Sequence, residues 1–300
     1  MKKFFVIMVL AGCMCGSSNA AKFSWSEFST PTLTILDNPI YPSYTVDLGY
    51  IEESTVDGGD ATGMLEFEAK WRDVLYFRDV LSGDLAVGFD LDMLIFTDSA
   101  DIDLPGQAVA LAADIGWTWR YVSGDAFGIS LSPGLYSDIE EIAGRAFFVP
   151  FSGVYYKAFH SDIAGVLGLQ VRPRFERVFF PVVGIDWIMH DNVRLMLMLP
   201  ESRLTIYIDN RWSIHGGYEW RSLSYATREA GNYDRTLLTY EDSKYSVGLT
   251  YKMSDELQIT GEGGTCFSRM LEFDKPGGGI PAELDVEKAS FVRVGIGGPF

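Results

Sequence analysis

The sequence predicts an all-β protein, a single up-and-down antiparallel transmembrane β-barrel of about 12–14 strands. Three observations predict it. Apolar and polar residues alternate with period two in one segment after another. Long and short connections alternate between those segments. No run approaches the ~20 apolar residues that a membrane helix needs, although the chain opens on an export signal.

That signal is "MKKFFVIMVLAGCMCGSSNA". Lys2 and Lys3 precede an apolar stretch from Phe4 to Gly12, and Ser18-Asn19-Ala20 fits a small-x-small cleavage site. Residues 1–20 are therefore expected to be a signal peptide. Leu10-Ala11-Gly12-Cys13 also fits a lipobox, in which Cys13 would be acylated; cleavage after Ala20 is the boundary adopted. Residues 21–40 then read as a short periplasmic segment and 41–300 as the barrel.

Without Lys2 and Lys3, the 24 basic residues become 22 against 41 acidic ones, a net charge of −19. Such a balance excludes nucleic acid as a partner, since binding it needs a basic patch. Cys13 and Cys15 leave with the signal and Cys266 remains. A lone thiol excludes an intrachain disulfide and paired-cysteine zinc or redox chemistry. No cofactor is expected.

The strands follow in order. Tyr44, Val46, Leu48 and Tyr50 oppose Thr45, Asp47 and Gly49. Leu65, Phe67, Ala69 and Trp71 oppose Glu66, Glu68, Lys70 and Arg72. Leu85, Val87, Phe89 and Leu91 oppose Asp84, Asp90 and Asp92. Ile115, Trp117, Trp119 and Tyr121 oppose Asp114, Thr118 and Arg120. Further on, Trp212, Ile214, Tyr218 and Trp220 oppose Ser213, His215, Glu219 and Arg221, and Tyr245, Val247, Leu249 and Tyr251 oppose Lys244, Ser246 and Thr250. The apolar faces end in aromatics, as membrane-interface girdles do, and the polar faces carry charges and glycines, as a polar lumen would.

Long connections are expected at 52–62, 97–106, 133–145, 222–243 and 264–288, with briefer ones at 173–177 and 200–202. Short turns are expected at Ser82-Gly83, Ser123-Gly124-Asp125, His160-Ser161-Asp162, His190-Asp191-Asn192, Asp209-Asn210 and Met253-Ser254-Asp255-Glu256. This gives 14 strands, or 12 if 193–209 is a hairpin outside the wall.

The chain ends "SFVRVGIGGPF". The last strand must pair with the first, because an open sheet edge cannot face lipid. Val294, Ile296 and Phe300 resemble the C-terminal signal of bacterial outer-membrane barrels, which the barrel assembly machinery reads. Pro299 departs from it by removing a backbone donor. A wider stretch, "PVVGIDWIMHDNVRLMLMLPESRLTIYIDNRWSIHGGYEW", with its Pro-x-x-Gly entry and Leu-Pro-x-x-Arg turn, resembles an uncharacterised family of Gram-negative outer-membrane barrels. The resemblance implies the fold and supplies no activity.

The residues expected to line the lumen are Glu66, Glu68, Asp90, Asp92, Asp114, Arg120, Asp186, His215, Glu219 and Arg221. The excess of acids would favour cations. Three other sets stand out. Ser213 and His215 share a strand face, as a nucleophile and base would, but no third group is assignable. The acidic groups Glu52, Glu53, Asp57 and Asp60, then Asp98, Asp101 and Asp103, then Asp138, Glu140 and Glu141 offer hard oxygen ligands without a complete calcium loop. "VRPRFERV" gathers Arg172, Arg174, Glu176 and Arg177.

The expected function is a passive channel for small solutes, or a structural barrel, with no enzyme activity. Its expected partners are outer-membrane lipid, lipopolysaccharide and the assembly machinery. The alternatives are an outer-membrane lipid hydrolase and a soluble periplasmic β-sandwich that binds a ligand.

Overall fold

The computed structural model describes residues 43–56, 61–97, 104–139, 146–175, 177–227, 237–274 and 282–299. The signal peptide, Cys13, the 21–40 segment and Phe300 lie outside the described residues.

The strands are β1 (Ser43–Thr55), β2 (Ala61–Val80), β3 (Gly83–Thr97), β4 (Gln107–Arg120), β5 (Ala126–Leu131), β6 (Gly134–Ser137), β7 (Phe147–Phe148), β8 (Phe151–His160) and β9 (Ile163–Val171). They continue as β10 (Phe179–His190), β11 (Val193–Leu199), β12 (Glu201–Tyr207), β13 (Trp212–Ala226), β14 (Leu237–Lys252), β15 (Gln258–Asp274), β16 (Ala282–Val286) and β17 (Ala289–Pro299).

Three pairs of segments each make one wall strand. β5 and β6 lie along the same neighbour, β4, and part at Ser132-Pro133. Proline cannot donate to the ladder, so the strand bends there. The carbonyl still serves, since Ala113 N donates to Pro133 O at 3.0 Å. Val149-Pro150 separates β7 from β8 in the same way, and Glu287-Lys288 separates β16 from β17.

The wall then has 14 antiparallel strands, each paired to its neighbours in sequence, and β1 closes on β17 from Ser43↔Pro299 to Ile51↔Phe291. β11 and β12 are wall strands, so the 12-strand count falls, and closure rules out the sandwich. All six expected short turns sit at one rim.

Period-two alternation puts one face of each strand outside. Val247 (67% exposed), Leu167 (65%) and Val294 (58%) stand on that face with Leu197, Ile185 and Ile214. An apolar belt of this extent around a whole wall matches a lipid solvent rather than water. Aromatics edge it. Trp212 lies 4.3 Å from Tyr251 and Trp117 5.3 Å from Trp119 toward the short-turn rim. Tyr245 lies 4.8 Å from Phe267 toward the other rim.

The long-connection rim differs from expectation. Among the described residues, 222–243 and 264–288 carry the ends of β13 and β15, the start of β14 and all of β16, and β6 enters 133–145. There the interior is apolar. Ile51, Met64, Leu94, Tyr225, Leu238, Tyr240, Leu271 and Phe273 are almost wholly buried together. Tyr136, Phe148 and Phe175 join them, with ring centroids 5.3–5.4 Å apart. β13 also crosses to β6, with Ala226 beside Ser137 in parallel pairing. The wall thus narrows at this rim around a packed core.

Candidate functional site

Below that core the inward positions turn charged. Strand alternation brings Asp47, Glu66, Glu68, Asp90, Asp92, Asp114, Glu201, Glu219, Asp242 and Glu262 inside, against Lys70, Arg203, Arg221, Lys244 and Arg293. With Arg72, which shares the inward face of β2 and is exposed like Asp114, ten carboxylates share one layer with six cations. Arg72 and Arg120 stand exposed nearer the short-turn rim.

The centre of the layer is one linked cluster. Lys244 Nζ donates to both oxygens of Glu66 at 2.7 Å and lies 3.3 Å from Asp242 Oδ2. Arg221 donates through Nη1 to Glu66 Oε1 at 3.1 Å and through Nη2 to Asp92. Tyr240 OH donates to Asp242 Oδ2 at 2.9 Å. Buried ions need such partners, because removal from water costs each several kcal/mol, roughly.

A second group lies toward β15. Arg293 Nη2 donates to Glu219 Oε2 at 2.9 Å. Its Nε lies 2.7 Å from Glu262 Oε1, as an ion pair off the hydrogen-bonding direction. His215 Nε2 meets Glu262 Oε2 at 3.3 Å. Gly248 sits between these strands, opposite both His215 and Glu262. A Cβ there would collide with His215 Nε2, so this contact requires glycine.

Several carboxylate oxygens inside have no hydrogen-bond partner: Asp90 Oδ1, Asp92 Oδ1 and Asp242 Oδ1. The other half of the interior is more apolar. Ala126, Val154, Tyr156, Val166, Val182 and Met198 pack there. A buried pair interrupts them, with Arg194 donating to Asp186 at 3.0 and 2.6 Å.

The expected lining residues therefore fall in separate places. Glu66, Asp92 and Arg221 meet in the central cluster. Glu219 and His215 join the Arg293–Glu262 group. Glu68 pairs with Lys70. Asp114 accepts from Ser132 Oγ at 2.6 Å, and Arg120 is 3.8 Å from Asp84 at the rim. Asp186 lies across the interior with Arg194. Lys244, Asp242, Glu262, Arg293 and Asp47 were missing from the expected set. Their signal was present, since Lys244 and Asp47 stand on polar faces of alternating segments, but Asp242 fell in a stretch read as a connection.

The other candidates resolve as follows. His215 is engaged by Glu262 in β15, a residue far from Ser213 in sequence. Asp57, Asp60, Asp98, Asp101, Asp103, Glu140, Glu141 and Glu176 lie outside the described residues. Glu52 and Glu53 are exposed on β1, and Asp138 is buried beside Ser137. Among the described residues no cluster of three or more potential ligands could hold a metal ion. At the C-terminal strand, Val294 and Ile296 stand exposed on the outer face.

Comparison with solved structures gives distant likenesses. The COG4313 outer membrane channel from Pseudomonas putida F1 has a TM-score of 0.47 at 12% identity, over 89% of this chain and 98% of that one. The Pseudomonas putida toluene transporter TodX has a TM-score of 0.39 at 10% identity, over 89% and 93%. The KdgM porin has a TM-score of 0.33 at 11% identity, over 85% and 99%. No curated protein matches the sequence. Residues 126–277, a little over half of the chain, match the family described as a domain of unknown function (DUF6268), and the chain belongs to that family.

Proposed function

We propose that this protein is an integral outer-membrane barrel that passes small solutes passively and prefers cations. The observation that carries the reading is the ten-to-six excess of carboxylates inside a closed wall whose outside is apolar. An enclosed excess of negative charge draws cations in and repels anions. The apolar packing at the long-connection rim keeps any path narrow, which limits the solute to small molecules.

In this reading the barrel sits in lipid of the outer membrane, with lipopolysaccharide as an outer-leaflet neighbour. The assembly machinery reads β17, where Val294 and Ile296 present the apolar side of the closing strand. The protein is not an enzyme, and Ser213 and His215 are interior polar residues.

Planar-bilayer recording of the purified protein tests this. The expected result is a small unit conductance with cation over anion selectivity. Anion selectivity would overturn the reading of the charged layer, and silent bilayers would leave a structural barrel.

A further inference from the structure

We propose that Asp90 and Asp92 of β3, with the hydroxyl of Tyr225, bind the ammonium head of a small organic amine. The inference rests on the cation-preferring reading above and names a solute class for it.

The site starts from buried polar atoms that nothing satisfies. Asp90 and Asp92 stand two apart on β3 and so share its inward face. Asp90 Oδ1 and Asp92 Oδ1 each lack a hydrogen-bond partner, and so does the hydroxyl of Tyr225. Asp92 is 7% exposed and Tyr225 is wholly buried. β13 crosses to β6 just beyond Tyr225, with Ala226 beside Ser137. That crossing seats Tyr225 among Ala108, Ala110, Ala112 and Tyr136, and Ala110 lies directly opposite Asp92. Of the charges acting on the Tyr225 hydroxyl, that of Asp92 is accordingly the strongest.

The chain's own cations are committed elsewhere. Lys70 stands opposite Asp90 on β2, but its Nζ goes to Glu68. Arg221 goes to Glu66 and to the other oxygen of Asp92, Oδ2. A buried carboxylate oxygen left unpaired costs free energy, so a donor arriving from outside stabilises it.

Access comes from the short-turn rim. On the inward face of β4, exposed Asp114 follows Ala112, and Gly116 follows Asp114. A Cβ on Gly116 would meet nothing within 4 Å, so open space lies over it. Exposure falls from Asp114 through Asp90 to Asp92. The apolar core of the opposite rim closes the far end. The space over Gly116 can hold the body of a solute while its charged end reaches the orphaned oxygens.

The chemistry of those atoms selects an amine. All three are oxygens, and two belong to carboxylates. A primary ammonium brings one positive charge and three N–H donors, and the tyrosine hydroxyl can accept as well as donate. A metal ion does not fit, because among the described residues no group of three or more ligands could hold one. A quaternary ammonium carries the charge without the donors.

The test titrates ethylammonium, tetramethylammonium and potassium chlorides into the purified mature protein in detergent micelles and reads heat by calorimetry. Ethylammonium should bind about ten-fold tighter than either other cation, and Asp90→Asn should weaken it by about ten-fold. Tyr225→Phe removes one orphaned hydroxyl and keeps the ring, and it should weaken ethylammonium by about three-fold or more. No heat with ethylammonium, or equal affinity for tetramethylammonium or potassium, would overturn the proposal. Either variant binding ethylammonium as tightly as the parent would overturn it too. The heat is read without current, so the two readings fail separately. A cation-selective barrel that ignores ethylammonium loses this site alone, whereas a silent barrel that still binds it keeps the site and loses the channel.

Discussion

Lys244 and Glu66 meet across the interior at 2.7 Å, although their strands, β14 and β2, are not neighbours in the wall. The pair is a strut that fixes the width of the barrel. Each ion is almost wholly buried, at 1% and 7% side-chain exposure.

Breaking the strut on one side leaves a buried charge behind. Glu66→Ala should lower the unfolding free energy by about 3 kcal/mol, the low end for buried pairs because Asp242 still faces Lys244. In an Asp242→Asn background, which removes the other carboxylate facing Lys244, Glu66→Met with Lys244→Met should recover most of that loss. Urea unfolding of the two variants in lipid vesicles, followed by tryptophan fluorescence, measures the difference. A combined variant as unstable as the single one would deny the strut.

The glycine at 248 makes room for a charged contact. Gly248→Ala drives a methyl into His215 Nε2 and places it 2.7 Å from Glu262 Cβ. The imidazole must move, and overpacking of this kind costs about 1–3 kcal/mol. His215→Ala in the Gly248→Ala background should relieve the clash, so the double variant should be more stable than Gly248→Ala alone. Thermal melts of the three proteins check this.

The apolar packing at the long-connection rim should act as a stopper. Leu238 is fully buried there. Leu238→Ala should cost about 2–5 kcal/mol and raise single-channel conductance, because a void opens where the interior is narrowest. A destabilised variant with unchanged conductance would place the narrowest point elsewhere.

The turn between β12 and β13 carries a pH-dependent contribution. Arg211 N and Trp212 N donate to Asp209 Oδ1 at 2.7 and 2.8 Å, and these bonds hold the carboxyl below its ordinary range. A lowered folded value gives stability that is present above the unfolded value and lost as pH falls through the folded one. Asp209→Ala should therefore be less stable than the parent at pH 7, and the gap should close on acidification below about 4. A gap that stays constant from neutral to acid pH would show that the carboxylate charge is irrelevant.

Much of the fold was legible because strands with a lipid face and a lumen face must alternate. Tyr245, Val247, Leu249 and Tyr251 against Lys244, Ser246 and Thr250 announce both surfaces. Pro181–Trp220, where the barrel-family resemblance was read, lies inside the matched residues 126–277. The upper ends were illegible for a physical reason. Around Leu238, Tyr240, Leu271 and Phe273 the inward face is apolar, and Ser224 and Thr239 on the opposite strand faces are buried and bond each other, so the alternation no longer separates apolar from polar by side. Bulges near Ile51/Ser54, Trp71/Leu75 and Glu241/Ser243 shift the phase again. The charged cluster was half legible. Polar faces showed which residues point inward, but Glu66 and Lys244 are 178 positions apart, and no local pattern reports that distance.

Ser43 lies opposite Pro299, so the seam of the wall joins the two ends of the described chain. Every other neighbouring pair forms from nearby stretches, while this one must wait until nearly the whole polypeptide has been laid down in order. Loop entropy grows only slowly with span, but the seam gains nothing until the rest is curved to meet it. Maturation should thus be governed by one late stitching event, and loss of either terminal strand should leave a half-built sheet with two raw borders.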